Sequence, residues 1–171
     1  MSFRHTPGKQ YLRTRNTAQP SVLHEGLKPV RFVATEKHAM DFVIGVVLAL
    51  GVGLSATWIG LDRDRALYPA MMAVIASYYI LFAVMAGSAL IVECMVAAVF
   101  LGAAAAGFRS TLWVVAVALA AHGVVDVAHA RFISNPGVPV WWPAFCMSFD
   151  FAAAGYLAWL LASRRVRASA I

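Results

Sequence analysis

The chain has 171 residues, of which 61% are hydrophobic and only 13% charged, with a net charge of +6. Soluble domains run at roughly 45–50% apolar and about 25% charged, and their helices need a polar face, so a water-soluble globular fold is excluded. The basic residues sit in the N-terminal tail and at the ends of apolar segments, a placement that suits anionic lipid headgroups and not nucleic acid. Membrane lipids are therefore the expected partner.

Residues 1–39 form a basic, polar tail carrying Arg4, Lys9, Arg13, Arg15, Lys28, Arg31 and Lys37 against Glu25 and Glu36. No apolar run of signal-peptide length follows the first charges. From Asp41 onward, five apolar segments reach the roughly 20 residues that a bilayer crossing needs. They cover about 41–61, 66–86, 88–108, 111–130 and 141–162, within a membrane domain over 40–163, and a basic tail over 164–171 follows. The expected fold is all-α, a polytopic transmembrane helical bundle of about five spans. The stretch 66–108 would be about 60 Å long as one helix, twice the roughly 30 Å hydrocarbon thickness. A hairpin at Gly87-Ser88 is required. Gly45, Gly51 and Gly53, with the small residues from Gly102 to Gly107, let helix backbones approach closely. Cys94 and Cys146 both fall inside spans and are expected to be free thiols.

An odd number of spans puts the termini on opposite sides. The N-terminal side holds the tail and Arg131, and the other holds Arg63, Arg65, Arg109, Arg164, Arg165 and Arg167. Counting the whole short tail favours a cytoplasmic N-terminus.

Ionisable groups within spans cost roughly 2.5–3.5 kcal/mol each at mid-helix, so their presence requires a reason. Five stand out: Glu93 in the third span, His122, Asp126 and His129 in the fourth, and Asp150 in the fifth. His122, Asp126 and His129 are spaced i, i+4 and i+7. At 100° per residue they fall within an arc of about 60°. Topology places all five near one face of the membrane, with Cys146 one turn before Asp150 and with Tyr78 and Tyr79 at similar depth. The loop that closes this face, Asn135-Pro136-Gly137-Val138-Pro139-Val140-Trp141-Trp142-Pro143, joins rigid turn residues to interfacial tryptophans. It serves as an anchor for the fifth helix or as a lid over the polar layer.

The pattern His122-Gly123-x-x-Asp126-x-x-His129, followed by Asn135 to Pro143, Phe145-Cys146 and Asp150, resembles a family of small uncharacterised bacterial membrane proteins. Tyr78-Tyr79 and Glu93 fit the same resemblance, which covers about residues 62–162. It implies a multi-pass protein of the bacterial inner (plasma) membrane and names no reaction. Relatives often carry a second histidine after His129, where this chain has Ala130, so nothing that needs paired histidines is carried over.

Three chemistries suit the layer. The leading one is a membrane-embedded metal site, hydrolytic toward a lipid-like substrate, with zinc or iron as the ion. Its expected ligands come from His122, Asp126, His129 and Asp150, with Asp126 and Glu93 as catalytic carboxylates. An ion held there generates a nucleophile from water near neutral pH. In style this resembles intramembrane hydrolases of the alkaline ceramidase and adiponectin-receptor type, although their seven-span layout and serine motif are missing. His122 and His129 stand about 10.5 Å apart along the helix, so one ion is better served by Asp126, one histidine, and Asp150 or Glu93. The second chemistry is a proton or ion pathway, or a small transporter subunit. The third is structural, with polar contacts that fix helix packing in an accessory subunit. Haem ligation by His122 needs only one histidine, but the adjacent Asp126 favours polar chemistry. The chain has no Gly-rich phosphate loop, nucleophile elbow or CxxC pair, which excludes nucleotide hydrolysis and disulfide exchange.

Overall fold

The computed structural model of the chain describes residues 28–167, with side chains described from Ala39 onward. The tail expected over 1–39 lies partly outside the described residues, and so does the end of the tail expected over 164–171. With no water in a bilayer core, backbone groups must be satisfied within each segment, which makes every span a helix. Five helices follow in order: α1 Lys28–Ile59, α2 Leu67–Ala86, α3 Leu90–Arg109, α4 Leu112–Phe132 and α5 Trp142–Ala162. Each contains a stretch long and apolar enough to cross a membrane, and no strand occurs among the described residues. The protein is an all-α transmembrane bundle.

Helix α1 begins at Lys28, well before its apolar stretch at Ala39–Ile59. At 1.5 Å per residue it is about 48 Å long, longer than the roughly 30 Å hydrocarbon core, so its first turns project beyond the span. The α2–α3 hairpin turns at Gly87, whose φ of 65° suits glycine. The Gly87 N–H donates back to Ala83 and Val84 carbonyls, which closes the end of α2. Thr111 caps α4 by accepting the Trp113 N–H, as expected for an N-cap hydroxyl. Pro143 lies in the first turn of α5, where its missing N–H would have no partner anyway.

Helices α4 and α5 form the centre of the bundle, with half of each span buried against 22% for α1. α4 packs against α5 on one side and α3 on the other, and α2 closes over α3 and α4. α1 packs on α5. Its close approach goes through Gly45, where an added Cβ would collide with Ser148 Oγ and the Phe145 carbonyl. The outer faces present Val47, Leu54, Val99 and Val117, side chains suited to lipid and not to water.

The charged turn after α1 closes the end of the bundle away from the polar layer. Asp62 is buried and accepts a 2.7 Å hydrogen bond from Thr57 Oγ1, which also meets the Tyr156 hydroxyl at 2.7 Å. The Arg65 guanidinium donates to the carbonyls of Gly107, Phe108 and Ser110 at the end of α3 and to that of Arg167. One cation thereby satisfies carbonyls that the helix end leaves open.

Candidate metal centre

The polar side chains at the other end form two tiers. The inner tier is built by α4 and α5, which cross closely at Gly123. A Cβ there would stand 3.2 Å from the Met147 carbonyl oxygen and 3.4 Å from Asp150 Cβ, so glycine lets the two backbones approach. His122 and Asp126 lie one turn apart on α4, and Cys146 and Asp150 one turn apart on α5. All four are buried, and one donor atom from each falls within 4.8 Å of all the others. His122 Nδ1 is 2.7 Å from Asp150 Oδ2 and 3.5 Å from Asp126 Oδ2. Tyr79 of α2 donates its hydroxyl proton to Asp126 Oδ1 at 2.7 Å.

This leaves Asp126 Oδ2 and Asp150 Oδ1 buried without hydrogen-bond partners. Two carboxylates facing one imidazole and one thiol in a low-dielectric interior need positive charge, either as protons or as a cation. Tetrahedral zinc, with bonds of about 2.0–2.3 Å, places its donors roughly 3.3–3.8 Å apart. An ion entering here therefore needs shifts of only about 1 Å. Counted from the helix ends at 1.5 Å per residue, Cys146 lies about 6 Å deep and His122 about 15 Å deep.

The outer tier joins α3, α4 and the α4–α5 loop. His129 Nε2 is 2.8 Å from Glu93 Oε1, and Asn135 Nδ2 donates to that same oxygen at 2.8 Å. Asn135 also donates to the Tyr79 carbonyl at 3.3 Å and accepts the Gly137 N–H at 3.2 Å. The loop seats on α2 at Gly137, where a Cβ would collide with the Phe82 carbonyl. Tyr79 is common to both tiers, since its ring stacks on His129 with centroids 4.2 Å apart while its hydroxyl serves Asp126.

The structure thus brings His122, Asp126 and Asp150 together and adds Cys146 as the fourth donor. His129 faces Glu93 instead, and neither belongs to the set of four. The physical reason is the position of α4 between two partners. His122 lies where α4 crosses α5, whereas His129, seven residues on, lies where it meets α3. Cys146 was legible from its i, i+4 spacing to Asp150, but a thiol in an apolar span is ordinarily inert. Asn135 reads in sequence as a turn residue, and its inward reach depends on where the loop sits on α2.

Comparison with protein-family models, curated proteins and solved structures found no match for the chain.

Tyr79 orients a carboxylate of the donor set, and removing such an outer partner typically weakens metal binding about 10–100-fold. Tyr79→Phe is expected to lower zinc affinity within that range, measured by competition against a fluorescent chelator. An unchanged affinity would mean that Tyr79 does not hold Asp126 for an ion.

Proposed function

We propose that this chain is a membrane-embedded metal protein in which His122, Asp126, Cys146 and Asp150 hold one zinc or iron ion beneath one membrane face, and that the site hydrolyses a lipid-like substrate. The observation that carries this reading is the convergence of four buried donors, among them two carboxylate oxygens that accept no hydrogen bond. Imidazole, carboxylate and thiolate together suit zinc or iron and not magnesium or calcium.

An ion held by these residues would supply Lewis acidity and lower the pKa of a bound water. Tyr79 fixes Asp126 through Oδ1, which leaves Oδ2 as the base that would take a proton from the attacking water. The water oxygen then bonds to the acyl carbon. The proton taken by Asp126 passes to the leaving oxygen as the acyl–oxygen bond breaks. Glu93 lies in the outer tier, bonded to His129 and Asn135, and in this scheme holds the lid closed.

A transmembrane ion path has less support. Met72, Leu119 and Leu157 are fully buried between the polar layer and the Thr57–Asp62–Tyr156 group at the far end, and among the described residues no hydrogen bond links the two. The packing role suits the outer tier, whose hydrogen bonds join α2, α3, α4 and the α4–α5 loop.

Elemental analysis of detergent-purified protein tests the proposal. Near-stoichiometric zinc or iron is expected in the wild type, with nearly all of it lost in His122→Ala and Asp126→Asn. Carefully prepared wild-type protein that carries no metal would sink it.

A further inference from the structure

Between α1 and α2, floored by α5, runs a groove of about 810 Å³ that is lined almost wholly by apolar side chains. This is within the roughly 300–1,000 Å³ range of ligand-binding pockets. Asp41, Trp141 and Trp142 stand at one end, on the same face of the membrane as the polar layer. Leu48, Val52 and Met71 lead toward the middle of the span. From Asp41 to Val52 the groove follows α1 for about 16 Å at 1.5 Å per residue. Both walls are membrane-spanning helices, so the medium at its opening is lipid.

Two features of its lining point to the occupant. Cys146, one of the four donors, also lines the groove, so the groove reaches the candidate metal centre. Trp142 lines it as well and is 9% exposed, with its indole N–H buried and without a hydrogen-bond partner. Tryptophan usually finds an acceptor when buried, and an unmet donor carries a desolvation penalty. Trp142 lies at the start of α5, near the headgroup level, one turn from Cys146. The acceptor available at that depth in a bilayer is the carbonyl that links a lipid chain to its headgroup.

We infer that the groove takes an acyl chain of a bilayer lipid sideways from the membrane, with its ester carbonyl accepting the Trp142 N–H once the indole turns toward it, and its tail along Leu48, Val52 and Met71. The polar end of the lipid stays at the Asp41–Trp141 mouth, and the linkage is presented beside Cys146. This names the substrate class of the proposed hydrolytic site and rests on that proposal for its purpose, but not for the binding itself.

The test uses the full chain in phosphatidylcholine vesicles containing a phosphatidylcholine with a photoreactive diazirine in mid-chain. After illumination, adducts are mapped by peptide mass spectrometry. Adducts are expected to concentrate on residues 44–52, 71–78 and 145–149 relative to the lipid-facing side of α3. Trp142→Phe keeps the ring but removes the N–H, and is expected to lower groove adducts about tenfold while leaving those on α3 unchanged. Leu48→Trp, a change at a half-exposed position, fills the groove and is expected to do the same. Even labelling around the bundle, or groove labelling that neither variant lowers, would overturn the inference. Metal content measured on the same samples separates the two proposals. Groove-specific labelling of metal-free wild-type protein sinks the metal centre and keeps the lipid groove, and metal without groove-specific labelling does the reverse.

Discussion

Cobalt(II) loaded into the protein is expected to give an intense thiolate-to-metal charge-transfer absorption that vanishes in Cys146→Ser. The same variant should bind zinc at least about 10–100-fold more weakly, a range taken from the loss of outer-shell partners and so a lower bound for a ligand. The expectation follows from the place of Cys146, buried one turn before Asp150 and facing His122 and Asp126 across the α4–α5 crossing. Serine preserves the shape, so the fold should survive, but a hydroxyl is a far poorer ligand than a thiolate for a soft or borderline ion. Absorption and chelator competition give independent readouts. Cobalt bound without the charge-transfer band would place Cys146 outside the coordination shell and leave a three-donor site of His122, Asp126 and Asp150.

The largest effect on stability is expected at the outer tier. Glu93 is fully buried, and its Oε1 meets His129 Nε2 and Asn135 Nδ2. His129→Leu removes one of these partners and leaves a buried carboxyl group under-compensated. Breaking a buried pair from one side costs about 3–5 kcal/mol in soluble proteins. Polar contacts in membranes measure smaller, often below about 1 kcal/mol, so a loss near 2–3 kcal/mol is expected here. The double variant Glu93→Leu with His129→Leu should recover most of that loss, because apolar replacement of both partners is often neutral. Reversible unfolding in mixed micelles measures both. If the double variant is as unstable as the sum of the single ones, Glu93 and His129 act separately and the tier is not a coupled unit. Metal content should stay near that of the wild type in both, since neither residue is one of the four donors.

The bundle was readable from composition because the bilayer admits few alternatives: apolar runs of this length must be helices, and 66–108 had to fold back. Span ends moved by only a few residues, as with α3, which starts at Leu90 after Gly87 and Ala89 both take positive φ. The candidate site was readable as a layer but not as a set of partners. One helix face carries His122, Asp126 and His129 in a single stripe. Helical periodicity specifies the direction of that stripe and is silent on which neighbour each residue meets. The α4–α5 crossing at Gly123 and the α3–α4 contact near Glu93 divide the stripe between two tiers. Cys146, Asn135 and the hydroxyl of Tyr79 join these tiers through tertiary contacts that local patterns do not encode. Arg65 was visible only as a charge at a span end, and its bonds to the end of α3 depend on how α2 and α3 pack.

The pairing of α1 with α5 also sets a condition on biosynthesis. α1 is made well before the helix it packs against, which follows about 100 residues later in the chain. At roughly 5–20 residues per second, α1 waits about 5–20 seconds with its Gly45 face uncovered. During that interval the small-residue surface is open to insertase helices, to a second nascent copy or to lipid. Because α5 contacts both α1 and α4, the four-donor cluster cannot form until α5 has docked and brought Cys146 and Asp150 to His122 and Asp126.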